Sequence, residues 1–396
     1  DYTKDEIRGL FVRRFKKDVE AEAGENFQDR EMKIHRIQAS GIEEKVLEGI
    51  DALSFQAKKR GSSLFKITLL KAFLSSPNAL AETVEHRVKN LEKELKETRA
   101  DRIELKADIE SLKTLSDILA PVLKTHFTKL QKFKQELMQI GWTGKIKSPR
   151  VIVFSERITT LELLKDYLLN EFGLKDNVVD LFHAGLPDKR QQDIVDDFGK
   201  ADTNVRIMLA TDVASEGVNL HYLCHNMIHF DIPWSLIKME QRNGRIGRYG
   251  QDKKPLIQYL MTISKNSQVK SDTRVLERLV EKEAFVHKNI GDAAIIMGLY
   301  NAQEEEKEVM KGVAGGKSPE EIIPEKPNDS HFLDLLLSQN DDPEPVDMLK
   351  SMPTLYPDSI KYAKAAFAEM VQGDSGIQHP DFHKTNPSFT WVASKD

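Results

Sequence analysis

From position 149 onward the chain alternates short apolar runs with amphipathic stretches, and that alternation leaves few architectures open. After Pro149, the run Val151-Ile-Val-Phe154 is too short for a buried helix and predicts a buried strand. Residues 159–172 follow with Leu161, Leu164, Tyr167 and Leu168 at helical spacing. Residues 178–182 predict a second strand, and 187–198 a helix with Pro187 in its first turn. Residues 205–210, 227–230 and 256–263 predict three more strands, and Ser235 is placed to N-cap a helix between the last two. Strands and helices alternating at this spacing predict an α/β fold, a parallel sheet with helices on both faces. Ligands bind such sheets beyond the carboxyl ends of the strands. The segments expected there are Ser155-Glu156-Arg157, His183-Ala184-Gly185, 211–220 and Asp231-Ile-Pro-Trp234.

The stretch Gln241-Arg-Asn-Gly-Arg-Ile-Gly-Arg-Tyr-Gly-Gln251 places Arg245 and Arg248 three residues apart, which on a helix is one face. Gly244 and Gly247 would let another surface come close. Paired guanidiniums on a rigid element suit the charge that builds on a transferring phosphoryl group. An isolated pair at this spacing is more often a solvated basic face; its place after a series of strand ends favours the phosphoryl reading.

Three segments then carry a resemblance. Val151-Ile-Val-Phe-Ser155 resembles motif IV of superfamily-two helicases, 209–220 (Leu-Ala-Thr-Asp-Val-Ala-Ser-Glu-Gly-Val-Asn-Leu) resembles motif V, and 241–251 resembles motif VI. Residues 149–263, about a third of the chain, thus resemble the second RecA-like lobe of that superfamily. The form of motif V, the Phe-Asp-Ile-Pro-Trp234 before motif VI and the glutamines at both ends of motif VI are similar to the Swi/Snf branch. The glycine-rich motif VI is similar to bacterial RNA-polymerase-associated ATPases and their defence-system relatives. Leu10-Phe-Val-Arg-Arg-Phe-Lys-Lys-Asp-Val19 resembles the arginine-rich linker between the two lobes of such proteins.

The resemblance implies a DNA-dependent ATPase that translocates on double-stranded DNA, with ATP held between two lobes. It implies arginine fingers at Arg245 and Arg248, nucleotide-side roles for Gln241, Glu216, Gly217 and Asn219, and nucleic-acid contacts at Ser155, Arg157, His183, Gly185, Thr211 and Ser215. RNA polymerase or defence-system subunits are the further partners it implies. The first lobe would hold Mg²⁺ and the phosphates through a P-loop and an acidic motif. Neither is legible in this chain. The nearest P-loop candidate, Gly312-Val-Ala-Gly-Gly-Lys-Ser318, is one residue short, follows an acidic run instead of a strand, and precedes Pro319. The chain is therefore expected to be the C-terminal half of a larger protein, with the first lobe as its partner, and to hydrolyse no ATP alone. The other class left open is a nucleic-acid-binding or interaction scaffold without ATPase activity.

Composition agrees with a cytoplasmic protein. The net charge of −5 excludes a globally basic nucleic-acid binder, the single Cys224 excludes an internal disulfide, and no apolar run is long enough to span a membrane. His221, His225 and His229 are spaced by four around Cys224, but a strand over 226–230 would send these side chains apart, so no metal site is expected.

The expected division is an inter-lobe linker at 1–40, a helical insert with a coiled-coil protrusion at 41–148, the RecA-like lobe at 149–265, bracing helices at 266–300, and a linker with a C-terminal extension at 301–396. The protrusion rests on Val84, Leu91, Leu105, Leu112 and Leu119 recurring in heptads, with a companion seam through Val88, Leu95 and Ile109. As one straight helix, 81–116 would run roughly 50 Å. The polar break at Thr98–Arg102 suits the tip of a helical hairpin. Homodimerisation through the heptads is the alternative.

Overall fold

A computed structural model of the chain describes residues 30–56, 62–97, 101–125, 127–215, 220–247, 251–289, 294–299, 301–324, 381–382 and 389–390. They fall into two units, 1–332 and 333–396.

The first unit is built on a six-stranded sheet. Its strands are β1 (Glu31–Gln38), β2 (Arg150–Phe154), β3 (Val179–Phe182), β4 (Ile207–Ala210), β5 (Cys224–His229) and β6 (Leu256–Ile263). They lie in the order β1-β6-β5-β2-β4-β3, and every pairing is parallel. All residues of β2 and of β4 are buried. Because successive side chains point to opposite faces, a strand buried throughout must be covered on both sides. The fold is the expected α/β class with a parallel sheet.

The helices in chain order are α1 (Gly41–Ala52), α2 (Ser62–Ser75), α3 (Pro77–Glu97), α4 (Arg102–Leu123), α5 (Thr128–Gln139), α6 (Ile158–Phe172), α7 (Asp188–Gly199), α8 (Leu236–Asn243), α9 (Ser267–Asn289), α10 (Ala294–Met297), α11 (Ala302–Ala314) and α12 (Pro319–Ile322). Ser40 and Glu43 form a reciprocal capping box that starts α1. Gly173, in the left-handed conformation at φ 58°, ends α6.

The heptad region is a helical hairpin and not one straight rod. Arg102 Nη1 donates to Leu95 O at 2.9 Å across the turn, and Lys113 pairs with Glu92 at 3.6 Å. Val84, Leu91, Leu105, Leu112 and Leu119, the heptad residues, are all buried. The hairpin grows from a serine joint. Ser76 interrupts the helical run, its hydroxyl accepts from Ala79 N at 3.1 Å, and Pro77 opens α3.

Several expectations need correction. Strand β1 lies within 1–40, read as linker; Met32 and Ile34 pack on the core, and the strand pairs with β6 over its whole length. Strand β5 starts at Cys224, three residues earlier than expected, and β4 starts at Ile207, two residues later. Residues 301–324 are helical and not linker: Asn301 accepts from Gln303 N and Glu304 N to start α11, and Ser318 starts α12 with a second capping box. The rejected P-loop candidate is the end of α11 and the turn after it, with Gly316 at φ 69°. Residues 10–19 lie outside the described residues.

Of residues 333–396, the structure describes a two-stranded antiparallel pair, β7 (Asp381–Phe382) and β8 (Phe389–Thr390). The short helices expected at 331–339 and 359–371 lie outside the described residues. Among the described residues no helix is long and apolar enough to cross a membrane.

Candidate functional site

In-register parallel pairing brings four strand ends to one edge of the sheet. Phe154 of β2 is opposite both Ala210 of β4 and His229 of β5, and Phe182 of β3 is opposite Ala210. The loops that follow therefore converge: Ser155-Glu156-Arg157, His183-Ala184-Gly185, Thr211 with the 3₁₀ turn Asp212–Ser215, and Phe230-Asp231. Thr211 N donates to Phe182 O at 2.9 Å and ties two of these loops together.

Helix α8 enters this edge. Ser235 accepts from Lys238 N at 3.2 Å, the expected N-cap. The helix ends at Asn243, however, so Arg245 sits in the following turn and not on a helix face. Gly244 and Gly247 fit that ending, because both keep i→i−4 backbone bonds to Glu240 O and Asn243 O while the chain unwinds. Arg245 is half-buried and its Nε donates to Gln241 O at 3.2 Å. Gln251 holds the turn from the other side. Its buried amide donates to Ile246 O at 3.1 Å, His221 O at 2.8 Å and Cys224 O at 3.0 Å.

The fixed point is Arg242, which sequence reasoning passed over. It is 0% exposed, and its Nε and Nη2 each lie 2.6 Å from Asp212 Oδ1. Its Nη1 donates to Asp231 O at 3.3 Å, and its guanidinium lies 5.1 Å from the Phe154 ring centroid. Burial pushes the Arg242 pKa down, but Asp212, Asp231 and Glu156 overcome it and raise it. Beside it, His229 stacks on Tyr259 at 4.4 Å and bonds Asn243 Oδ1 at 2.8 Å. Burial and then Arg242 lower the His229 pKa well below its ordinary value, so it is a neutral core residue.

Asp231 is the second hub. Its Oδ2 accepts from Ser155 Oγ at 2.6 Å and from Ser75 Oγ at 2.7 Å, and Glu156 N donates to both its oxygens at 3.1 Å. Ser75 and Ser76 in turn bond Thr160 at 2.8 and 2.7 Å. Ser155, expected to touch a nucleic-acid backbone, is thus fully buried at the root of the hairpin and committed to Asp231. Its sequence partners lie far along the chain, so nothing local foretold this.

Arg157 is half-buried at the same edge, and among the described residues no acceptor bonds its guanidinium. His183 is half-buried with Nδ1 accepting from Gly185 N at 3.2 Å; Gly185 is exposed and Thr211 half-buried. Gln241 is exposed. Arg248, Glu216, Gly217 and Asn219 lie outside the described residues, as does the side chain of Ser215.

Glu156 reaches Lys71 at 2.6 Å and Lys238 at 3.0 Å. Burial pushes its pKa up, but Lys71, Lys238 and Arg242 hold it down at about 2. Lys129 of α5 lines the adjoining crevice, donates to Leu74 O at 2.6 Å and lies over the Phe230 ring at 4.8 Å. Its burial lowers its pKa to about 8 against the opposing pull of Asp231. The carboxylates gathered here are committed to lysine, arginine and hydroxyl partners, and among the described residues no group of three His, Cys, Asp or Glu is placed to hold a metal. Cys224, bonded toward backbone carbonyls, is pushed up to about 12 by burial and is inert.

Parallel strands, converging loops and the arginine turn agree with one comparison in particular. Residues 128–250 match the helicase conserved C-terminal domain. That part of the chain is similar to the C-terminal lobe of helicases. An uncharacterized ATP-dependent helicase of Bacillus subtilis (strain 168), YqhH, is 25% identical over 293 residues, covering 74% of this chain and 46% of that protein. The chain spans under half the length of that relative. Among solved structures, the C-terminal part of the Fun30 ATPase domain aligns with a TM-score of 0.39 and 16% identity, covering 73% of this chain and 99% of that chain. The Pyrococcus furiosus Hef helicase domain aligns with a TM-score of 0.39 and 18% identity, covering 68% of this chain and 63% of that chain.

Proposed function

We propose that this chain supplies the second lobe of a Swi/Snf-like DNA-dependent ATPase that translocates on double-stranded DNA. The observation that supports the reading is that the 155–157, 183–185 and 211–215 loops converge at one sheet edge, where Arg242, three residues before Arg245, holds Asp212. Arg245 and Arg248 act as arginine fingers on ATP whose phosphates and Mg²⁺ are held by a preceding first lobe. Gln241, Glu216, Gly217 and Asn219 line the nucleotide side. Arg157, His183, Gly185, Thr211 and Ser215 follow the DNA backbone, which positions the motor without reading sequence. Ser155 serves that surface indirectly, by fixing the loop that carries Arg157. The clamp of Arg242 on Asp212 ties the finger turn to the 211–215 loop, so nucleotide and DNA sides move together.

The test is Arg245→Ala and Arg248→Ala in a protein extended to include the upstream lobe. DNA-stimulated turnover should fall by about 10³-fold or more, the worth of an arginine finger, while DNA binding stays close to the parent. Unchanged turnover refutes the finger assignment.

A further inference from the structure

The C-terminal helix α11 meets the N-terminal end of α8 with two consecutive glutamates. Glu305 is fully buried; its Oε2 accepts from Ser235 Oγ at 2.5 Å and from Ile237 N at 3.2 Å, so it completes the cap that Ser235 begins. Glu306 accepts from Lys238 at 2.6 Å and also pairs with Lys71. With Glu156 on Lys71 at 2.6 Å and on Lys238 at 3.0 Å, the four side chains close a ring of alternating charge. All four are 13–18% exposed, where solvent screens little. The ring joins α2 of the helical insert, the loop after β2, helix α8 and helix α11.

We propose that α11 is a positioning element for the arginine turn: Glu305 and Glu306 hold α8 against the 155–157 loop and thereby set where Arg245 is delivered. The inference rests on the reading above. Helix α8 is eight residues, about 12 Å, and too short to bend. Its first turn is fixed by Glu305 and the ring, and its last by Arg242 and Asn243. A shift at the first turn is therefore carried to residues 244–247. Removing the charge of Glu306 leaves Lys71 paired with Glu156 and Lys238 with Glu156 and Asp212, so α8 and α2 lose their ionic tie to α11.

Two measurements test this. The first is hydrogen exchange on this chain with Glu306→Gln, which is isosteric, and with Glu308→Gln as control, since Glu308 pairs with Lys311 on its own helix. Exchange at 236–247 should rise about tenfold, the scale of one coupled contact, in Glu306→Gln and not in the control. A rise confined to 302–314, or equal in both variants, overturns the proposal. The second is turnover in the protein extended by its upstream lobe. Glu306→Gln should lower kcat about tenfold with the KM for DNA unchanged, and the shorter Glu306→Asp should recover part of it. A changed KM with unchanged kcat overturns the proposal. If the arginine variants leave turnover intact while exchange still spreads to 236–247, the finger reading fails and the clamp stands. If the arginines matter and exchange does not spread, the clamp fails alone.

Discussion

Replacing Arg242 by methionine removes the charge that the site is built around and keeps most of the side-chain volume. Arg242 is 0% exposed and its closest contact to Asp212 is 2.6 Å. At an effective dielectric of about 20, a unit pair at that distance attracts by about 6 kcal/mol. Desolvation of the two ions cancels several kcal/mol of this in the intact protein. Truncation recovers little of that cost, because Asp231, 9% exposed, remains buried beside an empty cation site. Breaking one partner of a buried pair costs about 3–5 kcal/mol. At about 2–4 °C per kcal/mol for a domain of this size, Tm should fall by roughly 10 °C. Thermal unfolding followed by circular dichroism reads this directly. Pairing the change with Asp212→Asn should give a coupling of about 1–3 kcal/mol. A loss below about 1 kcal/mol, the level of an exposed ion pair, would refute the view of Arg242 as the clamp of the site.

Three further outcomes follow from the geometry. Glu156 is held at about 2 against an ordinary 4.5, so its contribution to stability is fully present above pH 4.5 and is lost as pH falls toward 2; urea midpoints of the parent and Glu156→Gln should converge across that window. Lys129 is the opposite case: its pKa of about 8 lies below the ordinary 10.5, so the unfolded chain binds the extra proton between these values and stability rises with pH there. Lys129→Met should remove that rise from the same urea series. Finally, a Cβ on Gly312 would meet Ile322 at 2.7 Å, so Gly312→Val should unseat α12 from α11 and cost about 1–3 kcal/mol, read as earlier proteolysis at 315–324.

How far the sequence reached depends on whether the decisive partner is local. Strands β2 and β6 were legible because a continuous apolar run bounded by turn residues has few other uses. The hairpin was legible in its heptads and its polar break. The end of α8 is hidden in the sequence because glycines such as Gly244 and Gly247 suit a close approach as well as a helix end; in the structure they accompany the end of the helix. Residues 301–324 were misread because a charge-rich stretch suggests linker; the caps at Asn301 and Ser318 were the available signal, and Glu305 and Glu306 find partners only near 71 and 235–238. Arg242 was hidden for a related reason. In a basic motif an arginine reads as surface, and the carboxylates that bury it stand 30 and 11 positions upstream, at Asp212 and Asp231. Ser155 was placed at the correct sheet edge, but its burial depends on Ser75 and Asp231, which no spacing rule connects.

The central proposal is that this chain completes an ATPase that it cannot run by itself. The direct measurement is ATP hydrolysis with and without double-stranded DNA, comparing this chain with a protein extended upstream through the preceding lobe. The account predicts no turnover from this chain and DNA-stimulated turnover from the extended protein. Hydrolysis by this chain alone, or none by the extended protein with DNA present, would contradict it.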